Sequence, residues 1–258
     1  MRRLLLLLIA IAPAPAAAGP VLAVYEVYAA GMTVLQLEAR IAVDAVGYRM
    51  ETRLRTRGVV AAIVPGENLS EASGGWAGAL PAPRHFLSEG MWRGRPRRIA
   101  MEWQGGMPRL RLLEPPNEEE REPVPEPLQR GTVDALSALA ALSRAVQQGG
   151  GCDAAVPVYD GRRRVDYRAW GEGREVLRPW GRAWHGEAMR CAYEGRPLAG
   201  FRRGEERRDS AAPQAGTAWM AAPFPGAPPI PVRVEIPNRW FGSATAVLLS
   251  AQVAQQGR

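Results

Sequence analysis

The chain has 258 residues, 47% of them hydrophobic, and a formal net charge of +7, with all 33 basic residues being arginine. That length bounds it to one large domain or two small ones, with room for a sizeable core. The charge does not mark a nucleic-acid binder, because the arginines are scattered and interleaved with 26 acidic residues rather than gathered into a basic stripe.

The chain opens MRRLLLLLIAIAPAPAAAGP. Arg2 and Arg3 form a basic start, Leu4 to Ile11 an apolar run, and Ala16-Ala17-Ala18 an A-x-A cleavage pattern, which together read as a secretory signal peptide over 1–18. The apolar run is far short of the ~20 residues that span a bilayer. Cleavage after Ala18 leaves 258 − 18 = 240 residues with a net charge of 31 − 26 = +5. The mature protein is expected to be periplasmic, a single β-rich domain over 19–258, with no integral membrane segment and no cofactor.

From Thr33, apolar residues alternate as Leu35, Leu37, Ala39, Ile41 and Val43, with Gln36, Glu38, Arg40 and Asp44 between or after them. Period two predicts a strand with one buried face. DAVG at 44–47 turns the chain, and Tyr48, Met50, Thr52 and Leu54 alternate back. Placing Val43 opposite Tyr48 sets Ile41 against Met50 and Leu37 against Leu54, while Arg40 meets Glu51 and Glu38 meets Arg53 on the other face. A one-residue slip would mix the two faces, so this register is well specified. A preceding strand near 21–30 joins the same meander through Gly31. GVVAAIVPG at 58–66 reads as a short turn or helical piece under the sheet, followed by strands near 67–77, 83–92, 96–104 and 107–113.

The segment EPPNEEEREPVPEPLQR, 114–130, is rich in Glu and Pro and reads as an exposed, mobile connection between two halves. TVDALSALAALSRAVQQGGG, 132–151, predicts the one long helix, opened by Thr132 or the preceding glycine and stopped by Gly149 to Gly151. Ala135, Leu139, Leu142 and Val146, widened by Leu136, form its apolar stripe. Strands are then expected near 153–159, 162–170, 173–179, 186–194, 197–203, 217–222, 230–236 and 241–252. The pattern predicts a mostly β (α+β) fold: a curved antiparallel sheet or partly closed barrel packed on one long helix.

Within YDGRRRVDY, 159–167, the Asp160-Gly161 pair signals a two-residue hairpin turn. That turn places Tyr159 opposite Arg162, Pro157 opposite Arg164 and Val156 opposite Val165. Val156, Val165, Ala154, Tyr167 and Cys152 then share the apolar face, and Arg164, Asp166 and Arg168 the wet one. Arg163 falls on the apolar side near the tip, where it can snorkel outward. Cys191 alternates with Arg190 on an apolar strand face beside Met189 and Tyr193. In an exported chain, Cys152 and Cys191 are expected to form a structural disulfide; a redox or metal-binding thiol pair is the rival reading.

The succession Asp134-Ala-Leu136-Ser137, Cys152, Val158-Tyr159-Asp160-Gly161-Arg162-Arg163, Arg190-Cys191-Ala192-Tyr193, Leu198-Ala199-Gly200-Phe201, Trp219 and Pro231-Val232-Arg233-Val234 resembles the proteobacterial exported family catalogued as domain of unknown function 3108. The resemblance covers nearly the whole mature chain and is strongest from the helix onward. It implies an envelope location and a β-rich single domain, and it supplies no activity and no catalytic residues.

His85 and His185 are the only histidines and lie at no ligand spacing, which argues against a zinc enzyme. There is no G-x-S-x-G nucleophile elbow. Asp153, Asp160, Asp166, Glu187 and Glu194 read as surface partners of arginine, and are also the acids from which a carboxylate pair could be drawn. The arginines of the hairpin read first as its solvated outer face and the tryptophans as packing residues; Arg162, Arg164, Arg168, Trp170, Trp180 and Trp184 are the candidates for the other reading, anion or ligand contacts. The leading function is a non-enzymatic periplasmic protein binding an apolar or amphiphilic envelope component, a lipid or envelope glycan. The alternatives are a glycan hydrolase using a carboxylate pair, and a structural or assembly protein with an envelope protein partner near 114–130.

Overall fold

The computed structural model describes residues 19–92, 94–149, 151–204, 206–238 and 242–254; the expected leader, with its cleavage point after Ala18, lies outside them. The first half is β1 (Val21–Ala29), β2 (Met32–Val43), β3 (Gly47–Thr56), a short helix α1 (Gly58–Ile63), β4 (Glu67–Ala77), β5 (Leu80–Trp92), β6 (Arg95–Gln104) and β7 (Met107–Glu114). A 3-10 turn (Asn117–Glu119), a single helical turn α2 (Glu126–Gln129) and the long helix α3 (Ala135–Gln147) follow. The second half is β8 (Ala154–Tyr159), β9 (Arg164–Leu177), β10 (Gly186–Ala199), α4 (Arg207–Ser210), β11 (Gln214–Ala221), β12 (Ile230–Asn238) and β13 (Gly242–Val253).

All 13 strands join one antiparallel sheet in the order β7-β6-β5-β4-β3-β2-β1-β13-β12-β11-β10-β9-β8. Two meanders are thus sewn together where the first strand pairs with the last, β1 with β13. β7 and β8 are the two edges, so the sheet is not closed into a barrel. The fold is mostly β, with this sheet packed against one long helix.

The β2–β3 register is the one the alternation predicts: Val43 faces Tyr48, Ile41 faces Met50 and Leu37 faces Leu54. Ile41, Val43, Tyr48 and Met50 are buried in the main core with Val21, Ala23 and Tyr25 of β1. On the outer face the charges cross-link diagonally as well as directly, Arg55 Nη1 reaching Glu38 at 3.8 Å and Arg55 Nε reaching Glu67 at 3.1 Å.

Several expectations are corrected. The 58–63 helix does not lie under the sheet; none of its residues is buried, and Val59 and Ile63 are exposed. In the second half six strands stand where eight are expected, because β9 runs unbroken through Gly171 and Gly173 and β10 through Gly195 to Ala199. The 114–130 segment is exposed only in part. Val124 is buried in a core cluster with Phe86, Met101 and Tyr159, and Glu122 N donates to Phe201 O at 2.9 Å while Arg203 N donates to Glu120 O at 3.0 Å.

Helix α3 is capped by Asp134, not Thr132 or glycine: the Asp134 carboxylate accepts from Ser137 N at 2.9 Å. Its most buried residues are Ser137, Ala140, Ala141 and Ser143, not the stripe of larger residues, and Ala135 is exposed. The reason is that α3 is surrounded. Ala140 and Leu139 meet the main core, Leu136 meets both that core and the Phe86 cluster, Ala141 meets Val133, Val156 and Val158, and Leu142 and Val146 pack on the disulfide cluster. Small residues occupy the sides where sheet and helix approach most closely. Both buried serines bond: Ser143 Oγ donates to Pro229 O at 2.6 Å, and Ser137 Oγ donates to Asp134 while accepting from Tyr48 Oη at 2.7 Å.

The connecting segment also occupies the gap between the two sheet edges. Gly131 N donates to Gly106 O at 2.8 Å at the β6–β7 turn, and Val133 N donates to Pro157 O at 2.8 Å on β8. Val133 and Val158 form an isolated parallel bridge. The exposed edge of β8 is thereby covered, one of the ways sheets avoid open edges.

Candidate functional site

Between α3 and the strands β8, β9 and β10 lies an apolar cleft of about 250 Å³. Ala138, Leu139 and Leu142 line it from the helix, and Val156, Val158 and Tyr167 from the sheet. Tyr193 forms part of its wall, and the exposed Arg168 belongs to the opposite face of β9, in the groove with Arg164 and Asp166. Burial pushes the Tyr193 phenol up to about 12. The cleft lies just below the roughly 300–1,000 Å³ of small-molecule sites; it suits one apolar chain rather than a whole lipid.

Its wall rests on a device repeated three times in the sheet. Tyr48 faces Gly74, Tyr167 faces Gly195 and Tyr193 faces Gly216, each as direct cross-strand partners. A Cβ at Gly195 would stand 2.6 Å from the Tyr167 ring, and one at Gly216 or Gly74 would strike the facing tyrosine hydroxyl. Each ring therefore lies folded over a glycine, filling the space a side chain would take. Folding Tyr167 and Tyr193 flat keeps the sheet wall thin beside α3.

The structure separates the candidate contacts. The β8–β9 hairpin turns through four residues, not two: Tyr159 faces Arg164, Val158 faces Val165 and Val156 faces Tyr167. Asp160 closes the loop, its Oδ1 accepting from Arg162 N at 3.0 Å and Arg163 N at 2.8 Å, and its Oδ2 from Arg163 Nε at 2.9 Å. The two-residue displacement keeps side-chain parity, so the apolar and wet faces stand as expected although the partners change. Arg164, Arg168 and Trp170 share a groove of about 450 Å³ with Asp166, Glu194 and Arg196. Trp180 and Trp184 lie elsewhere: Trp180 meets Tyr28 in a tilted pair with ring centroids 5.1 Å apart, and Trp184 packs against the main core. Arg162 is not on the wet face at all; it is buried, and its Nη2 donates to Glu114 O and Pro115 O, each at 2.9 Å.

Cys152 and Cys191 are joined, with Cα atoms 5.5 Å apart, and both are fully buried beside Ala218 and Met220. Four of the five candidate acids are engaged by arginine: Asp160 by Arg163, Asp166 by Arg164, Glu187 by Arg174 and Glu194 by Arg196. Among the described residues no group of three His, Cys, Asp or Glu converges as a metal site, and no helix is long and apolar enough to cross a membrane.

A family model, described as protein of unknown function (DUF3108), matches residues 24–248. The chain belongs to the DUF3108 family. The matched span runs from within β1 to within β13 and takes in the disulfide and the α3 cleft. In fold the chain is similar to a crystal structure of a beta-barrel-like protein of domain of unknown function DUF1849 from Brucella abortus. The two share 11% sequence identity and a TM-score of 0.54, over 92% of this chain and 99% of that one. At that identity the likeness speaks for the fold alone. No curated protein matches the chain in sequence.

Two features escape the sequence reading. Trp76 and Trp103, distant in sequence, line a cleft of about 630 Å³ with Pro81, Pro83 and Val133; Trp103 Nε1 donates to Thr132 O at 2.7 Å and Trp76 Nε1 to Asp44 O at 3.0 Å. The Tyr48–Ser137–Asp134 chain is the other. Its only local signal is Asp134 three residues before Ser137, the spacing of a helix cap.

Proposed function

We propose that this protein is an exported, periplasmic, non-enzymatic binding protein that takes the apolar portion of an amphiphilic envelope component into the cleft beside α3. The observation that carries the reading is that cleft: an almost wholly apolar recess walled by Leu139, Leu142, Val156, Val158, Tyr167 and Tyr193. An apolar chain buried there gains about 25 cal/mol for each Å² removed from water, and its polar head would remain outside in solvent. Export is supported by the Arg2-Arg3 start, the Leu4 to Ile11 run and Ala16-Ala17-Ala18, and by a buried disulfide, which persists in oxidising compartments. The pairing of Asp160, Asp166, Glu187 and Glu194 with arginines weighs against a carboxylate-pair hydrolase. An assembly role through 114–130 is weakened by Val124, which ties that segment into the core.

The test is native mass spectrometry and organic extraction of protein purified from a bacterial periplasm, beside an Ala138→Trp variant that fills the cleft. The wild type should carry a stoichiometric amphiphile and the folded variant should lose it. Protein that arrives empty and does not take up N-phenyl-1-naphthylamine, or a variant that retains the same cargo, would refute the proposal. Fractionation of cells expressing the chain with and without residues 1–18 tests the location.

A further inference from the structure

The hairpin tip carries a second site of a different chemistry, sharing no lining residue with the apolar cleft. A cleft of about 640 Å³ lies where the tip meets the end of β5, the start of β6, the 3-10 turn and the loop after β10. Five arginines line it: Arg97, Arg121, Arg162, Arg202 and Arg203. Glu119 and Glu120 are the lining acids, which gives 5 − 2 = +3 among the described lining residues.

The distribution of partners within this cluster is uneven. Glu120 is taken by Arg97, whose Nη1 donates to Oε2 at 2.9 Å and whose Nη2 donates to Oε1. Arg162, with its side chain only 8% exposed, stands 3.8 Å from the same carboxylate. Its Nη1 has no hydrogen-bond partner, although Nη2 is doubly bonded to carbonyls. Arg121 and Arg203 donate to backbone carbonyls only, Arg121 Nη1 to Gly200 O at 2.8 Å and Arg203 Nε to Arg121 O at 3.2 Å. Among the described residues, Arg121, Arg202 and Arg203 have no carboxylate within ion-pair distance. Burial, followed by the nearby Arg163 and Arg202 charges, pushes the Arg121 pKa down. A buried charged donor without a hydrogen bond and like charges held together both destabilise the free protein, and a dianion relieves both.

We propose that this arginine cleft is a binding site for a phosphoryl group, with Arg121, Arg202 and Arg203 as its contacts and Arg162 as the buried anchor beneath them. Planar guanidinium forks match phosphoryl oxygens in pairs, and the cleft is large enough for the group to be carried on a larger molecule, either a soluble phosphate ester or a lipid head group.

Isothermal titration of the disulfide-bonded protein with pyrophosphate, at low and at elevated salt, provides the test, with Arg202→Ala/Arg203→Ala as the variant. Both side chains are exposed, so the fold, checked by circular dichroism, is expected to be kept. Saturable binding that weakens with salt and falls about tenfold or more for each arginine removed is expected. Absent saturation, or equal affinity in wild type and variant, overturns the proposal. Sedimentation with phosphatidylcholine vesicles, with and without phosphatidic acid, separates the sources. Binding only to phosphatidic acid vesicles, competed by pyrophosphate, assigns the head group, and pyrophosphate binding without vesicle binding assigns a soluble ester. Vesicle binding indifferent to the variant and to pyrophosphate belongs to the apolar cleft and counts against this site.

Discussion

Opening the Cys152–Cys191 bridge should lower stability by about 4 kcal/mol. The two residues are 39 apart in sequence, and closing a loop of that length restricts the unfolded chain by about 13 cal/mol/K, or about 4 kcal/mol at 25 °C in the chain-entropy account. That loop holds β8, β9 and the first half of β10, which is one edge of the sheet and one wall of the apolar cleft. Urea titration followed by tryptophan fluorescence, on oxidised protein and on protein reduced with thiols retained, isolates this effect because side-chain volume does not change. For a domain of this size the reduced form should melt roughly 8–16 °C lower. Cys152→Ala/Cys191→Ala should lose roughly 1 kcal/mol more for each sulfur removed, since both sit fully buried against Met220 and Ala218. A reduced form within about 1 kcal/mol of the oxidised one, at unchanged m-value, would refute the view that the bridge holds the β8 edge in place.

Three further outcomes follow from the packing. Gly195→Ala should destabilise by about 1–3 kcal/mol because its new methyl meets the Tyr167 ring; in a double-mutant cycle with Tyr167→Ala the two effects should be far from additive, and simple additivity would sink the ring-over-glycine account. Ala140→Leu should cost about 1–3 kcal/mol by overpacking a fully buried helix position, whereas Ala135→Leu, at an exposed one, should stay within about 0.5 kcal/mol; equal urea midpoints would overturn the assignment of the buried face. Burial raises the Asp134 pKa, so its contribution is fully present below the unfolded carboxylate value, about 3.9, and is lost as pH rises through the folded value. Asp134→Asn, which keeps a cap acceptor, should therefore gain on the wild type as pH rises from 4 and the difference should level off once Asp134 is ionised; parallel stability–pH curves would exclude this.

What the sequence made legible was local. In β2 and β3 both faces are patterned, so one register alone satisfies Ile41 with Met50 and Arg40 with Glu51, and it is the one found. At β8–β9 the pattern fixed the faces but not the partners, because a displacement of two residues preserves parity. The deciding interaction is the Asp160 side chain bonding two loop amides, which turns Asp-Gly from the centre of a tight turn into the start of a four-residue loop. Arg162 illustrates what could not be read. A loop arginine is expected to be wet, and it is buried because the carbonyls of Glu114 and Pro115, at the far edge of the sheet, accept from it. Trp170, Trp180 and Trp184 are close in sequence and diverge in space, since one lies on a strand and two in the loop beyond it, while Trp76 and Trp103 converge from separate hairpins.

The helix shows why both clefts lie where they do. A helix at the surface of a sheet needs one apolar stripe, but α3 has only Ser137, Ser143, Arg144 and Gln147 as polar residues, and a helix apolar on most sides is a buried one. It serves as a strut common to four core clusters, and the chain leading into it fills the gap between the unpaired edges β7 and β8. A sheet closed upon itself would have left neither recess. On the β8 side of that gap Leu139 and Leu142 are only half-covered and line the apolar cleft. Because the edges stay apart, the hairpin tip must be held to the far edge by a side chain instead of a ladder. Arg162 performs that task with one of its terminal nitrogens and leaves the other without a hydrogen bond, 3.8 Å from Glu120, at the seam where five arginines line one cleft.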